Sequence, residues 1–285
     1  IMHTDCPHYY RFAEPGETEE DFSTRMANNL EEMIIREDPD TVAAFIAEPV
    51  MGAGGVLVPP ATYFEKIQAV LRKYDIYFIS DEVICGFGRT GNMFGCQTFD
   101  YQPDSISVAK ALSSAYMPIG AVTIPEQMYQ AMLDESRKIG TFGHGYTYSG
   151  HPVSAAVALK TLEIYERDRI VDHIRAIAPT FQSRLKALGD HPLVGEARGV
   201  GLVGAVELVA DKSTKRSFDP GLLVGARTVQ FAQDEGVILR AMGDNVGLCP
   251  PLVIKEEEVN QMFDMLERAL DKAEGWVVKE NLRNA

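Results

Sequence analysis

The sequence predicts an α/β fold: a mainly parallel sheet covered by helices, followed by a smaller C-terminal α+β domain. Three observations carry this expectation. Short apolar, β-favouring runs alternate with amphipathic helical runs through the first half, as in a parallel sheet covered by its crossover helices. Three of these runs stop abruptly at a charged residue, at Glu48, Asp81 and Lys110. In the second half the alternation gives way to glycine-containing strand-like runs and one long closing helical pattern.

Thr18, followed by Glu19 and Glu20, reads as a helix start, and Phe22, Met26, Leu30, Met33 and Ile34 follow at helical spacing. "TVAAFIA" (41–47) is a short strand that ends at Glu48-Pro49, with a turn at Gly52, Gly54 and Gly55 behind it. Tyr63, Phe64, Ile67, Val70 and Leu71 mark one face of the next helix. "IYFIS" (76–80) leads into Asp81-Glu82, "SISVA" (105–109) leads into Lys110, and "GAVTI" (120–124) closes the series. Ligands of such sheets bind beyond the carboxyl ends of the strands, so Glu48, Asp81 and Lys110 are expected to face one shared pocket. A helix is expected from Pro152 to about Glu166, burying Val153, Val157, Leu162 and Tyr165. The large domain is expected to cover 1–166 and the small one 167–285. Strands are expected within 199–208, 236–243 and 246–254, and a last helix after Glu256-Glu257-Glu258, acids suited to a helix N-terminus.

The chain of 285 residues is 46% hydrophobic, enough to bury a sizeable core. Its formal net charge is −14, with no basic cluster, which argues against a general nucleic-acid binder. No apolar run reaches the ~20 residues of a membrane helix. Cys6, Cys85, Cys96 and Cys249 are scattered without metal-ligand spacing, so a reducing compartment, the cytoplasm, is expected. The first residue is Ile1 and not methionine, so the sequence is expected to begin inside a longer chain.

"GFGRTG" (86–91) matches the dinucleotide fingerprint literally, but no helical pattern follows it. A tight glycine loop is the better reading. His3, Asp5, Cys6 and His8 carry metal-ligand chemistry, yet no second ligand pair accompanies them, and an ordinary loop is preferred. The strand-end pair is more telling. Pyridoxal phosphate enzymes need a lysine amine to bond the cofactor and a carboxylate facing its pyridine nitrogen. An opposite charge nearby stabilises the protonated ring nitrogen, and two strand ends of one sheet can hold Lys110 and Asp81 on opposite sides of one small cofactor.

"AAFIAEPVMGAGGVLVPP", "YFISDEVICGFGRTGNMFG", "AKALSSAYMPIGAV", "HGYTYSGHP" and "GLCPPLVI" together resemble the class III, or ω-, aminotransferases, fold-type I pyridoxal phosphate enzymes. The resemblance runs from about Thr4 to the last helix, and is nearest to the amine– and ω-amino acid–pyruvate aminotransferases. It implies pyridoxal 5'-phosphate bound covalently at Lys110, with Asp81 at the ring nitrogen, Val83 packed on the ring face and Glu48 as a supporting polar group. It further implies that Thr147 binds the cofactor phosphate of a neighbouring subunit, hence a homodimer with shared active sites. Members of the family carry an N-terminal portion ahead of the region matching Ile1, with a phosphate loop and part of the substrate pocket.

The implied reaction moves an amino group from a primary amine or ω-amino acid to a keto acid, with pyruvate favoured. Relatives that use 2-oxoglutarate carry an arginine aligning with Gly247 and a glutamate aligning with Ala53; both are absent here. Amine–pyruvate relatives use an arginine aligning with Arg240, on a mobile segment, to meet the acceptor's carboxylate. Alternatives left open are an aminomutase or decarboxylase on the same scaffold, and a non-catalytic fragment.

Overall fold

Thr18 starts the first long helix as its spacing predicts. Its hydroxyl accepts from the Asp21 N–H at 3.1 Å, and the Asp21 carboxylate accepts in return from the Thr18 N–H. Reciprocal capping of this kind satisfies two backbone donors that a helix start leaves unpaired. The computed structural model describes residues 1–284. A single turn, α1 (Tyr9–Phe12), precedes α2 (Glu19–Glu37), which buries Phe22, Met26, Leu30 and Ile34 on one face.

The strands β1 (Ala44–Ala47), β2 (Tyr77–Asp81) and β3 (Ser105–Val108) form a sheet in the order β1-β2-β3-β4, with α3 (Tyr63–Lys73) crossing between β1 and β2 and the short turn α4 (Gly95–Thr98) before β3. The first three strands are parallel. The last, β4, holds only Ala121–Val122 of the five residues expected, and runs antiparallel to β3. The connection from β3 to β4 carries only the turn Lys110–Ser113 and no crossover helix, and a parallel return needs a crossover.

One face of the sheet is closed by α2 and α3. Phe45, Ala47, Phe78 and Ile106 meet Leu30, Phe64, Ile67 and Leu71 there. Phe78 is 1% exposed and stacks on Tyr101 at 4.9 Å. On the opposite face Ile46 is exposed. The next helix, α5 (Glu126–Ile139), buries none of its residues.

From α6 (Pro152–Arg167) onward the pattern changes. Of the apolar positions expected in α6, Tyr165 is buried and Val157 and Leu162 are half-buried, but Val153 is exposed; Ser154, Ala158 and Thr161 complete the buried face. Small side chains let α6 approach the Lys110–Ser113 turn closely. After α7 (Ile170–Ala187), an antiparallel sheet forms in the order β5-β6-β8-β7. The run 199–208, expected to hold strands or strand ends, contains the end of β5 (Val194–Val200) and all of β6 (Val203–Leu208), a hairpin turning at Gly201-Leu202. Gly201 has φ +58°, and a Cβ there would lie 2.5 Å from the Arg89 carbonyl oxygen. Then follow α8 (Val224–Glu235), β7 (Arg240–Met242), β8 (Asn245–Leu248) and the closing α9 (Glu256–Lys279). Phe181, Leu185, Leu208, Phe263 and Leu266 belong to the second core. We propose that the division into 1–166 and 167 onward falls at this change, between α6 and α7.

Residues 8–11 lie against the second sheet. His8 Nε2 meets Glu196 at 2.9 Å, and Arg11 pairs with Glu207. His8, Glu196 and Glu207 bring potential metal-ligand atoms within 4.8 Å of one another. Both carboxylates pair with Arg198, at 2.5 and 2.7 Å, and Glu207 pairs with Arg11 as well, so the group is an ion-pair network. Asp5 pairs with Asn29. Among the described residues, no helix is long and apolar enough to cross a membrane.

Because Phe78 fills the centre of the first core between two rings, Phe78→Ala should destabilise the protein by about 3–5 kcal/mol. Urea unfolding followed by circular dichroism measures it. A cost below about 1 kcal/mol would mean that this core collapses around the gap.

Candidate active site

Strand register brings the charged residues together. Ala47 pairs with Ser80 across β1–β2, and Asp81 pairs with Ser107 across β2–β3. Glu48 therefore leaves β1 beside the end of β2. Parallel neighbours lie about 4.8 Å apart, so the two carboxylates emerge at one edge. The Glu48 Oε2 accepts from the Gly52 N–H at 2.9 Å, and the Asp81 Oδ1 accepts from the Val83 N–H at 3.1 Å.

Asp81 and Glu82 are adjacent in sequence but have different surroundings. Glu82 is 0% exposed and accepts from the Gly95 and Cys96 N–H groups at 2.8 and 2.7 Å and from the Ser80 hydroxyl. It ties the loop after β2 to α4. Asp81 is half-buried, with only the Val83 N–H bond taking one of its oxygens.

Lys110 sits two residues past the end of β3, where the chain turns with φ +43°. Ser114 and Ala115 follow at +48° and +62°. Left-handed backbone at non-glycine residues costs about 1–3 kcal/mol each and concentrates at functional sites. Lys110 is exposed, and it lines a cavity of about 1060 Å³ together with Val83, Tyr165, Arg240, Cys249 and Leu252. The cavity lies between the strand ends, α6 and the β7–β8 pair, and its wall is mostly apolar.

Arg240 lies on β7, the edge strand of the second sheet, with its side chain exposed. Its cross-strand partner is Gly247. Directly opposed residues of an antiparallel pair share one face and stand within reach of each other. A Cβ at 247 would meet the Met242 methyl at 2.8 Å, and a longer side chain there would stand beside Arg240 on the same face. Ala53 also lines the cavity. Thr147, in contrast, lies in the exposed loop after α5 and is not part of the wall.

Residues 86–91 form a loop, with Phe87, Gly88 and Gly91 at positive φ, and no long helix opens from it. The sequence reading did not single out Arg89, Tyr116, Thr161 or Cys249, all of which line the cavity. The small-residue spacing of α6 was the available signal for Thr161. Arg89 was the only cation inside the glycine loop.

Lys110 lines the apolar cavity, whereas Asp81 and Glu48, expected to face the same pocket, stand at the neighbouring strand ends and are not among its lining residues, because each turns a carboxylate oxygen to a backbone N–H of the loop that follows it. A lysine in an apolar cavity, with a carboxylate at the neighbouring strand end, defines a pyridoxal phosphate type of α/β transferase. The chain belongs to the class III aminotransferase family: residues 2–270 match it. It is 54% identical over 277 residues to a gamma aminobutyrate transaminase 3, chloroplastic, from Solanum lycopersicum, covering 97% of this chain and 53% of that protein. A gamma aminobutyrate transaminase 1, mitochondrial, from the same plant is 52% identical over 96% of this chain and 53% of its own length. The chain thus spans about half the length of the curated relatives it matches. Among solved structures, a transaminase with L-Ala superimposes with TM-score 0.95 at 55% identity, covering 97% of this chain and 65% of that one. The omega transaminase from Pseudomonas jessenii, in complex with PMP, gives TM-score 0.94 at 52% identity over 97% of this chain and 61% of its own. The architecture is that of the fold-type I transferases, and the cofactor of the family is pyridoxal 5'-phosphate. The donor set fits that group: Lys110 supplies an amine to the cavity, and Asp81 supplies a carboxylate at the neighbouring strand end.

The relatives overturn the expected cytoplasmic location, since they are named chloroplastic and mitochondrial. Reduced cysteines distinguish reducing from oxidising surroundings; they do not distinguish the cytosol from the interior of an organelle.

Burial pushes the Glu48 carboxyl above its ordinary value of 4.5; the Gly52 N–H pulls it back, the Asp81 charge raises it further, and Lys110 lowers it. A carboxyl whose pKa is raised in the folded state favours folding in its protonated form. That contribution is complete below 4.5 and is lost as pH rises through the raised value. Glu48→Gln, which retains an acceptor for Gly52, should therefore raise the thermal midpoint at pH 7 relative to the parent. The difference should vanish at pH 4. An equal difference at both pH values would show that charge burial is not its source.

Proposed function

We propose that this protein is a pyridoxal phosphate-dependent aminotransferase that moves an amino group from a primary amine or ω-amino acid to pyruvate. The convergence of Lys110 and Asp81 at one sheet edge, with Lys110 lining a large cavity, is the observation that carries the reading.

The cofactor, when bound, supplies an aldehyde carbon that links to amines and a ring that accepts electron density from the substrate carbon. Lys110 would hold it through Nζ and, when that amine is free, would carry a proton between the substrate carbon and the adjoining position. The Asp81 carboxylate keeps a proton on the ring nitrogen, since an anion beside it favours the cation. Val83, which lines the cavity, would pack on the ring face, and Glu48 accepts from the Gly52 N–H at its strand end. The apolar wall excludes water and accommodates a donor's hydrocarbon arm.

Arg240 is assigned to the acceptor. A guanidinium pairs with a carboxylate in a planar, two-bond arrangement, and Arg240 is exposed on an edge strand at the cavity wall. Pyruvate is favoured because Gly247 and Ala53 leave no second charged pair there. A relative solved as a transaminase with L-Ala agrees, since alanine is the amino product of pyruvate.

A homodimer is part of the same reading. Tyr146 and Tyr148, on either side of Thr147, are 81% and 78% exposed, and α5 buries nothing within the chain. Large exposed aromatic residues mark an interaction surface, and Thr147 would reach the cofactor phosphate of the neighbouring subunit.

Lys110→Ala should abolish transamination, and Lys110→Arg should not restore it, because a guanidinium stays protonated and cannot bond the aldehyde. Alanine formation from pyruvate plus an amine is the assay; appreciable turnover in either variant would end the mechanism. Arg240→Ala should raise the apparent KM for pyruvate at least about tenfold, equivalent to one carboxylate hydrogen bond of about 1.4 kcal/mol. The half-reaction with a carboxylate-free amine should change far less. Equal losses in the two half-reactions, measured separately, would reassign Arg240 to structural support.

A further inference from the structure

Arg89 lines the cavity yet has no part in the proton transfers above. It sits in the glycine loop that follows Asp81 and Val83. Its Nη1 donates two hydrogen bonds across to the second sheet, to the Leu202 carbonyl at 2.9 Å and the Pro250 carbonyl at 2.7 Å. The backbone completes the contact: the Leu202 N–H donates to the Arg89 carbonyl at 3.0 Å. Leu202 is the corner of the β5–β6 hairpin. Pro250 lies just beyond β8, between Cys249 and Pro251 of the cavity wall.

The contact is built into both partners. Gly201 leaves no side chain where one would collide with Arg89 and Thr90. The Arg175 side chain donates to the Gly91 carbonyl at 2.8 Å and to the Asn92 side chain at 2.6 Å, fixing the far end of the loop from α7. Pro250 is buried and has no N–H. Its carbonyl is the handle by which the segment after β8 can be held.

We propose that Arg89 is a positioning residue that latches the acceptor-facing wall, β8 and residues 249–253, to the loop carrying Asp81 and Val83. It sets where β7, and hence Arg240, stands relative to Lys110. Within the second sheet β7 is hydrogen-bonded only to β8, with α8 packed beside it, so slack at Pro250 reaches the Arg240 guanidinium through β8. The inference rests on the acceptor reading only for its kinetic consequence; the latch itself is a statement about the fold.

Arg89→Met keeps the apolar stem and removes the donors. In purified protein loaded with pyridoxal phosphate, hydrogen–deuterium exchange should quicken at residues 246–253 and 201–203 and stay unchanged in α2 and α3. Unchanged exchange at 246–253 would overturn the latch, whatever the catalytic outcome. The kinetic arm is a double-mutant cycle with Arg240→Ala. Alone, Arg89→Met should raise the pyruvate KM about tenfold, the scale of one or two lost hydrogen bonds. In the Arg240→Ala background it should add less than about twofold, because the group it positions is gone. The same rise in both backgrounds would mean that Arg89 meets substrate directly, and would overturn the positioning role. If Arg240→Ala alone leaves the pyruvate KM unchanged, the acceptor reading fails, and the exchange data alone decide on the latch.

Discussion

Parallel pairing of β1, β2 and β3 is the constraint on which the site depends. Parallel strands all finish at the same edge, so a residue just past the end of each meets its counterparts without any further design. Ala47 opposite Ser80 and Asp81 opposite Ser107 leave Glu48, Asp81 and Lys110 no other place to go. A slip of one residue in β2 would turn Asp81 to the opposite face and bury it against α2 and α3. The packing of Phe78 against Tyr101 and Phe64 prevents that slip. The site therefore inherits its precision from an aromatic core on the other side of the sheet.

The second constraint is the distribution of acids at the end of β2. Glu82 spends its oxygens on backbone donors of α4 and is sealed from solvent. This anchoring leaves Asp81 half-buried beside the cavity. Lys110 pays for its position with a left-handed backbone, and the turn it begins is held in place by α6 across a stripe of small residues. Strain at the reacting residue is thus stabilised by packing some distance away.

The two sheets meet through an apolar cluster of Val50, Val56 and Cys85 with Val203 and Ala205, and through specific polar contacts. The loop 86–92 touches the β5–β6 corner and the segment after β8 through Arg89, while Arg175 grips it from α7. Near the N-terminus, His8 and Arg11 join the Arg198–Glu207 network. Ion pairs buried in this way are costly to break singly, since the remaining charge is left without a partner. The cavity between the two sheets is in this way framed by polar contacts and lined by apolar ones.

Much of this was legible in the sequence because strand ends carry their own punctuation. Apolar runs that stop at Glu48, Asp81 and Lys110 announce a parallel sheet and its functional edge, and capping at Thr18 announces α2. What hydropathy left open has a common physical origin. The β5–β6 hairpin turns on Gly201 with neighbours that are also glycine and apolar, so the strand-like pattern of 199–208 runs through the corner without marking it. The buried face of α6 uses Ser154, Ala158 and Thr161, which hydropathy does not distinguish from a solvated face. Residue type and order determined the fold class, the strand-end chemistry and the family. Only the tertiary structure decided that Arg240 opposes Gly247 and that Asp81, not Glu82, is left at the cavity's edge. Nor could sequence say that Arg89 spans the two sheets. Each of those depends on which atoms from distant parts of the chain come within hydrogen-bonding distance, and one-dimensional spacing does not contain that information.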